Sequence, residues 1–343
     1  MSRIAVIIPA YRVEQQIAHV VAGIPASVDE IIVVNDCSPD NTAKVLESIK
    51  DKRVHVLTHL KNMGVGGAML SGYSYALHLG CDVAVKLDGD GQMDPSFIEQ
   101  IIQPILKGRA DYVKGNRFMH QAELARMPLI RLIGNVGLTF LSKLASGYWN
   151  VFDPTNGYTA ISRNKLSTLD PARISRNYFF ETSMLCELRK FDAVVQDYPM
   201  PAIYQDEKSS ISITRELFIF SGNLISRFFR RIFRQYFLYN FNAASLYLVF
   251  GTLLGLFGGI WGIVKWNQSI QTGVPATTGT VLLAVLPIIL AVQFLTQAIA
   301  LDIASVPVQT TEDQLSAANL SAQKMAQHFQ KLADENLLVI SRK

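Results

Sequence analysis

Two carboxylates one residue apart, Asp88 and Asp90, follow the apolar run Val83–Leu87. A glycine comes after each of them, Gln92 follows, and Asp94-Pro95-Ser96 has the composition of a helix start. In α/β proteins ligands gather at the carboxyl ends of strands, which is where these acids fall. Asp-x-Asp beside an amide oxygen is a hard-oxygen set, suited to Mg²⁺ or Mn²⁺ shared with a substrate diphosphate. Asp and Gly in this order also make ordinary solvated turns. The surrounding chain has to separate the two readings.

The elements that deliver these acids read as an α/β sheet. Ile4–Ile8, Glu30–Val34, Val54–Leu57 and Val83–Leu87 are β-branched, apolar runs of the kind buried on both faces of a parallel sheet. Helical patterns lie between them at 14–24, 42–49 and 62–79, which implies right-handed crossovers. Further helices are expected at 95–106, 128–144 and from Phe180 to about Arg189, with strands at 111–114, 159–162 and 193–195. Gly64, Gly66 and Gly67 come close to a dinucleotide fingerprint. Met69 takes its last position and the cluster follows the third strand, so a nicotinamide site is disfavoured. These glycines are expected to let a helix start approach a ligand or a neighbouring strand.

The 343 residues are 49% apolar and only 17% charged, a balance that suggests a soluble domain joined to membrane segments. The net charge of +4 gives no argument for nucleic acid. Cys37, Cys81 and Cys186 lie far apart and read as buried, reduced thiols. The six histidines show no ligand spacing and receive no role. The first apolar run is too short for a signal peptide and meets Pro9 at once.

From Leu224 to Leu238, Arg227, Arg230, Arg231 and Arg234 alternate with phenylalanines, the pattern of a helix on an anionic membrane surface. Ala243–Val264 and Thr280–Leu301 carry no charge and reach the roughly 20 residues needed to cross a bilayer core. A connector from Lys265 to Thr278 makes them a hairpin, and the arginine-rich flank places the N-terminal domain and the tail in the cytoplasm. The expected organisation is a catalytic domain at 1–215, an amphipathic juxtamembrane segment at 216–240, two spans within 241–303 and a cytoplasmic helical tail at 304–343. That tail would pack on the domain or on another subunit.

Several motifs together resemble the inverting family 2 glycosyltransferases. They are Val6-Ile7-Ile8-Pro9-Ala10-Tyr11 with Glu14, Val34-Asn35-Asp36-Cys37-Ser38-Pro39-Asp40, and Leu87-Asp88-Gly89-Asp90-Gly91-Gln92-Met93-Asp94-Pro95. Lys114-Gly115-Asn116-Arg117, Asp153-Pro154-Thr155-Asn156-Gly157-Tyr158 and Lys208-Ser209-Ser210 narrow the resemblance to polyprenyl-phosphate glycosyltransferases, the bactoprenol glucosyl- and dolichol-phosphate mannosyltransferases.

That resemblance implies a GT-A fold, a mostly parallel sheet flanked by helices. It implies Pro9, Ala10, Tyr11, Glu14, Asp36, Asp88 and Lys208 around the nucleotide donor. Asp88, Asp90 and Gln92 would hold Mg²⁺ or Mn²⁺, and Arg117, assisted by Arg131 and Asn135, the acceptor phosphate. Asp88, Asp90 and Arg117 would carry catalysis, with Asp153 and Glu181 as candidates should a base be used. The implied reaction is inverting transfer of one sugar to undecaprenyl or another polyprenyl phosphate at the cytoplasmic face of the cell membrane. UDP-glucose is favoured by the two-span layout and GDP-mannose is second. Asn35 stands where many members read Asp, which leaves the nucleobase open. Oligomerisation is also left open.

Two other readings are weaker. A processive polysaccharide synthase would show Gln-x-x-Arg-Trp, and none of Trp149, Trp261 and Trp266 follows an arginine. A non-catalytic sugar-nucleotide binder would have lost acidic ligands that are intact here.

Overall fold

The computed structural model describes residues 2–117, 129–177, 179–201, 213–310, 315–334 and 338–342; its side-chain description omits 129–133, 135, 213–220 and 315–322. The chain divides into two compact units, Met1–Ile225 with Pro307–Lys343, and Ser226–Val306.

The first unit is built on an eight-stranded sheet. Its strands are β1 (Ile4–Ala10), β2 (Glu30–Asn35), β3 (Val54–His59), β4 (Val83–Lys86), β5 (Tyr112–Asn116), β6 (Thr159–Ser162), β7 (Val195–Pro199) and β8 (Leu338–Arg342). They lie in the order β7-β5-β6-β4-β1-β2-β3-β8. Only β6 and β8 run against the others. The described helices are α1 (Ile17–Ala22), α2 (Thr42–Ser48), α3 (Gly64–His78), α4 (Ile98–Leu106), α5 (Leu129–Ser146), α6 (Arg163–Thr168), α7 (Phe180–Leu188), α8 (Ile213–Phe233), α9 (Ala243–Thr272), α10 (Thr278–Ala304) and α11 (Leu315–Asp334).

Strand periodicity sorts side chains to opposite faces of the sheet. Val6, Ile8, Ile31, Val33, Val83 and Val85 share one core with Ile17, Val20 and Val21 of α1 and the isoleucines of α4. Ile7 and Val34 point the other way, onto α3 at Gly72, where a Cβ would lie 2.3 Å from Ile7 Cγ2. Ile7 gives its carbonyl to Leu87 N, and Pro9, on the same side of β1, falls beyond the end of β4. A missing N–H costs no ladder bond there.

The expected strands are present, with β4 ending at Lys86 and the late strand displaced to Val195–Pro199. Helix α6 and strand β8 are additional to the sequence reading, and Cys37, expected to be buried, is exposed on the loop after β2, while Cys81 and Cys186 are buried. The tail, expected to be helical only, packs within the first unit: α11 lays Phe329 against Tyr75 and His78, and β8 pairs antiparallel with β3. Of the glycines opening α3, Gly64 and Gly66 lie against the Ser175–Arg176 backbone, a loop and not a strand. A Cβ on Gly66 would meet Ser175 O at 2.0 Å.

In the second unit α9 and α10 are long and apolar enough to cross a membrane, and few of their side chains are buried by protein. Helix α9 continues past Lys265 to Thr272, so the connector is shorter than expected. It ends at Gly273, whose φ of +66° makes a left-handed cap. Gly251 and Gly258 face α10 so closely that a Cβ would meet Leu295 at 2.9 Å and Ala284 O at 2.7 Å. The basic, aromatic segment runs as α8 through Phe233 and then widens into a π turn over Arg234–Tyr239.

Candidate active site

The strand order reverses between β1 and β4, which makes a crevice at their carboxyl ends. Asp88 leaves β4 two residues past its end. Gly89 tucks against Pro9 O and Ile8, and Gly91 turns the chain at φ +77°. Asp90 Oδ1 accepts from Gln92 N at 3.0 Å, and Asp94 caps the next turn by accepting from Ser96 N at 2.8 Å. Tyr158 donates its hydroxyl to Asp94 O at 3.1 Å, tying the acidic loop to the segment after Asp153. Asp88, Asp90, Gln92, Arg117, Thr155, Asn156 and Gly157 line one cleft.

Beneath the cleft lies a buried charged layer. Lys86, 1% exposed, places Nζ 2.6 Å from Asp88 Oδ1 and 3.2 Å from Glu181 Oε1. Burial alone would lower its pKa, but Asp88 and Glu181 outweigh that and hold it above the usual lysine range. Gly157 makes the arrangement possible, because a Cβ there would lie 2.5 Å from both Asp88 Oδ2 and Lys86 Nζ. Lys114 donates to Asn156 O and its pKa is lowered to about 8 by burial, with Glu181 and Asp153 opposing the shift. Asp197 accepts from Asn116 Nδ2 and Phe152 N, yet burial still raises its pKa to about 6.

Arg117 follows β5 and grips Asp153 through Nε and Nη2. Asp153 and Glu181, the two base candidates, are therefore partners of Arg117 and Lys86, the structural role that competes with a catalytic one.

On the nucleotide side, Ala10 is buried and Tyr11 is exposed, with the Arg12 guanidinium 5.4 Å from its ring centre. Glu14 Oε2 accepts from Asn41 N at 2.7 Å, bracing the loops after β1 and β2 together. Asp36 turns inward. Its Oδ1 accepts from Met63 N at 2.8 Å and lies 2.6 Å from His59 Nδ1, while His59 Nε2 sits 2.9 Å from Ser71 Oγ. The sequence reading assigned His59 no role, and only the β2–β3 pairing brings it to Asp36. Lys86 was also missed, although a lysine ending an otherwise apolar strand beside an acidic loop is a readable signal. Arg131 and Asn135 fall on α5 with side chains outside the described residues, and Lys208 lies outside them altogether.

Among the described residues no cluster of three His, Cys, Asp or Glu side chains forms a closed metal cage. Two carboxylates and an amide on one loop, open to a cleft, nevertheless fit Mg²⁺ or Mn²⁺. Such ions take one or two carboxylates and complete their shell with substrate phosphate and water.

The model for Glycosyl transferase family 2 matches residues 5–170. A UDP-N-acetylglucosamine–dolichyl-phosphate N-acetylglucosaminyltransferase from Methanococcus voltae is 34% identical over 218 residues, 59% of this chain and 86% of the relative. The chain belongs to glycosyl transferase family 2. An undecaprenyl-phosphate mannosyltransferase from Micrococcus luteus is 26% identical to this glycosyltransferase over 60% of the chain and 85% of its own length. Among solved structures, a glucosyl-3-phosphoglycerate synthase from Mycobacterium tuberculosis superposes with a TM-score of 0.50 at 22% identity. It covers 67% of this glycosyltransferase and 79% of its own chain, and the likeness shows the shared fold.

Proposed function

We propose that this glycosyltransferase moves one sugar, with inversion, from a nucleotide donor to a polyprenyl phosphate at the cytoplasmic face of the membrane. The observation that carries the reading is the convergence of Asp88, Asp90 and Gln92 with Arg117 on one cleft. Asp88, Asp90 and Gln92 would hold Mg²⁺ or Mn²⁺, which when bound neutralises charge on the leaving diphosphate. Arg117, held from behind by Asp153, presents its guanidinium to the acceptor phosphate and orients one oxygen toward the anomeric carbon. A phosphate monoester has its second pKa near 6 and arrives charged, so positioning replaces proton abstraction. That Asp153 and Glu181 are engaged in ion pairs supports a site without a dedicated base. Arg131, Asn135 and Lys208 complete the proposal from the motifs alone.

The reading includes the membrane hairpin, supported by the length and apolarity of α9 and α10 and by the arginines preceding them. It takes UDP-glucose as donor, from the two-span layout. Extraction of labelled lipid after incubation with undecaprenyl phosphate, Mg²⁺ or Mn²⁺, and each of UDP-glucose, UDP-N-acetylglucosamine and GDP-mannose tests it. Labelled lipid from UDP-glucose is expected. Label from another donor corrects the sugar, and no labelled lipid from any donor refutes the transferase reading.

A further inference from the structure

Lys86 has no place in the transfer itself, yet its ammonium lies directly against Asp88 from below. Its ammonium sits between Asp88 Oδ1, at 2.6 Å, and Glu181 Oε1, at 3.2 Å, and at 1% exposure it has no route to solvent. Gly157 caps it from the cleft side, where any Cβ would strike Nζ. We propose that Lys86 is a resident counter-cation that makes the site select a metal–diphosphate complex over the free divalent ion.

The sign of the charge decides the effect. A fixed cation against Asp88 repels a divalent ion that arrives alone and attracts a diphosphate. Against an ion already carrying a diphosphate the two effects offset each other. Glu181 steadies the lysine, and because Lys86 lies between the two carboxylates, the pair turns its positive end toward Asp88. The inference rests on the metal–diphosphate reading of Asp88, Asp90 and Gln92.

The test is equilibrium binding to the full-length protein in detergent, with Mn²⁺ followed by electron paramagnetic resonance, alone and with UDP or GDP. Lys86→Met keeps the length of the side chain and removes the charge, and it is expected to bind Mn²⁺ alone about tenfold more tightly than the wild type. Its affinity for the Mn²⁺–nucleotide complex should change about twofold or less. Lys86→Met/Glu181→Gln, which leaves no buried unpaired carboxylate, should also bind free Mn²⁺ more tightly. Glu181→Gln alone should bind it more weakly. Mn²⁺ affinity that does not rise in either lysine variant, or that rises equally for free ion and complex, overturns the proposal. A wild-type protein that binds no Mn²⁺ even with UDP or GDP refutes the metal reading itself, and this inference with it.

Discussion

Arg117 donates to Asp153 through Nε at 2.8 Å and Nη2 at 3.0 Å, and Asp153 is completely buried while 38% of the arginine side chain is exposed. The carboxylate fixes the plane of the guanidinium and leaves its outer edge to the cleft. Arg117→Ala should therefore raise the KM for polyprenyl phosphate by about tenfold or more, the scale of one lost charge-assisted contact, while donor binding stays intact. Asp153→Asn should shift the same parameter in the same direction, because the arginine keeps its charge and loses its orientation. Acceptor titrations at saturating donor check both, and an unchanged acceptor KM in either variant contradicts the assignment.

Asp90 Oδ1 is already turned onto its own loop by Gln92 N. Asp90→Ala removes both that turn and an oxygen proposed to hold the metal. Transfer should fall by at least about a hundredfold, with nucleotide-dependent Mn²⁺ binding lost in parallel. Retained transfer would remove the metal role from this residue.

Gly157→Ala is the sharpest steric test. The added methyl would lie 2.5 Å from Asp88 Oδ2 and from Lys86 Nζ, so one or both must move. Activity should drop by about tenfold or more in a protein that still folds. Gly134→Ala, on α5 with nothing among the described residues within 4 Å, is the control. It should leave transfer unchanged and stabilise the helix by about 0.5–1 kcal/mol. Activity assays beside thermal melts separate the two.

The pH dependence of stability follows from Asp197. Burial raises its pKa to about 6, so the folded state holds this proton more tightly than the unfolded chain does. Its contribution is fully present below the ordinary carboxylate range and is lost as the pH rises through about 6. Asp197→Asn should thus be more stable than the wild type at pH 8, by an amount on the order of 3 kcal/mol, and the gain should vanish near pH 4. Melting curves across that range decide it, and a pH-independent difference would place the raised pKa elsewhere.

In the second unit Arg231 donates from Nη1 and Nη2 to Asp302, at 2.6 and 2.9 Å, and Tyr236 donates to the same carboxylate at 2.6 Å. Arg231→Met leaves a charge uncompensated and should destabilise this unit by about 3 kcal/mol. Arg231→Met/Asp302→Asn should recover much of the loss. Melting in detergent reads both, and a double variant no better than the single one would mean that the pair is not coupled.

The order of elements was legible because each signal is local. Buried parallel strands are continuous apolar runs, and Gly91 and Asp94-Pro95 mark turns by their own backbone preferences. The acidic loop was legible for the same reason, since Asp88, Asp90 and Gln92 sit within five residues of one another. Strand β8 was not. Leu338–Arg342 has the alternation of many short segments, and its place in the sheet exists only because the edge of β3 is left open to it.

Thus the sequence by itself determined the α/β class, the family, the acidic loop and the apolar hairpin, all encoded in neighbouring residues. Only the tertiary structure decided which side chains meet: Arg117 with Asp153, Lys86 with Glu181, Asp36 with His59. Each of those pairs joins positions 23 or more residues apart. Their partners are chosen by strand order and burial, where an ion left unpaired costs several kcal/mol and no local pattern records which opposite charge will arrive.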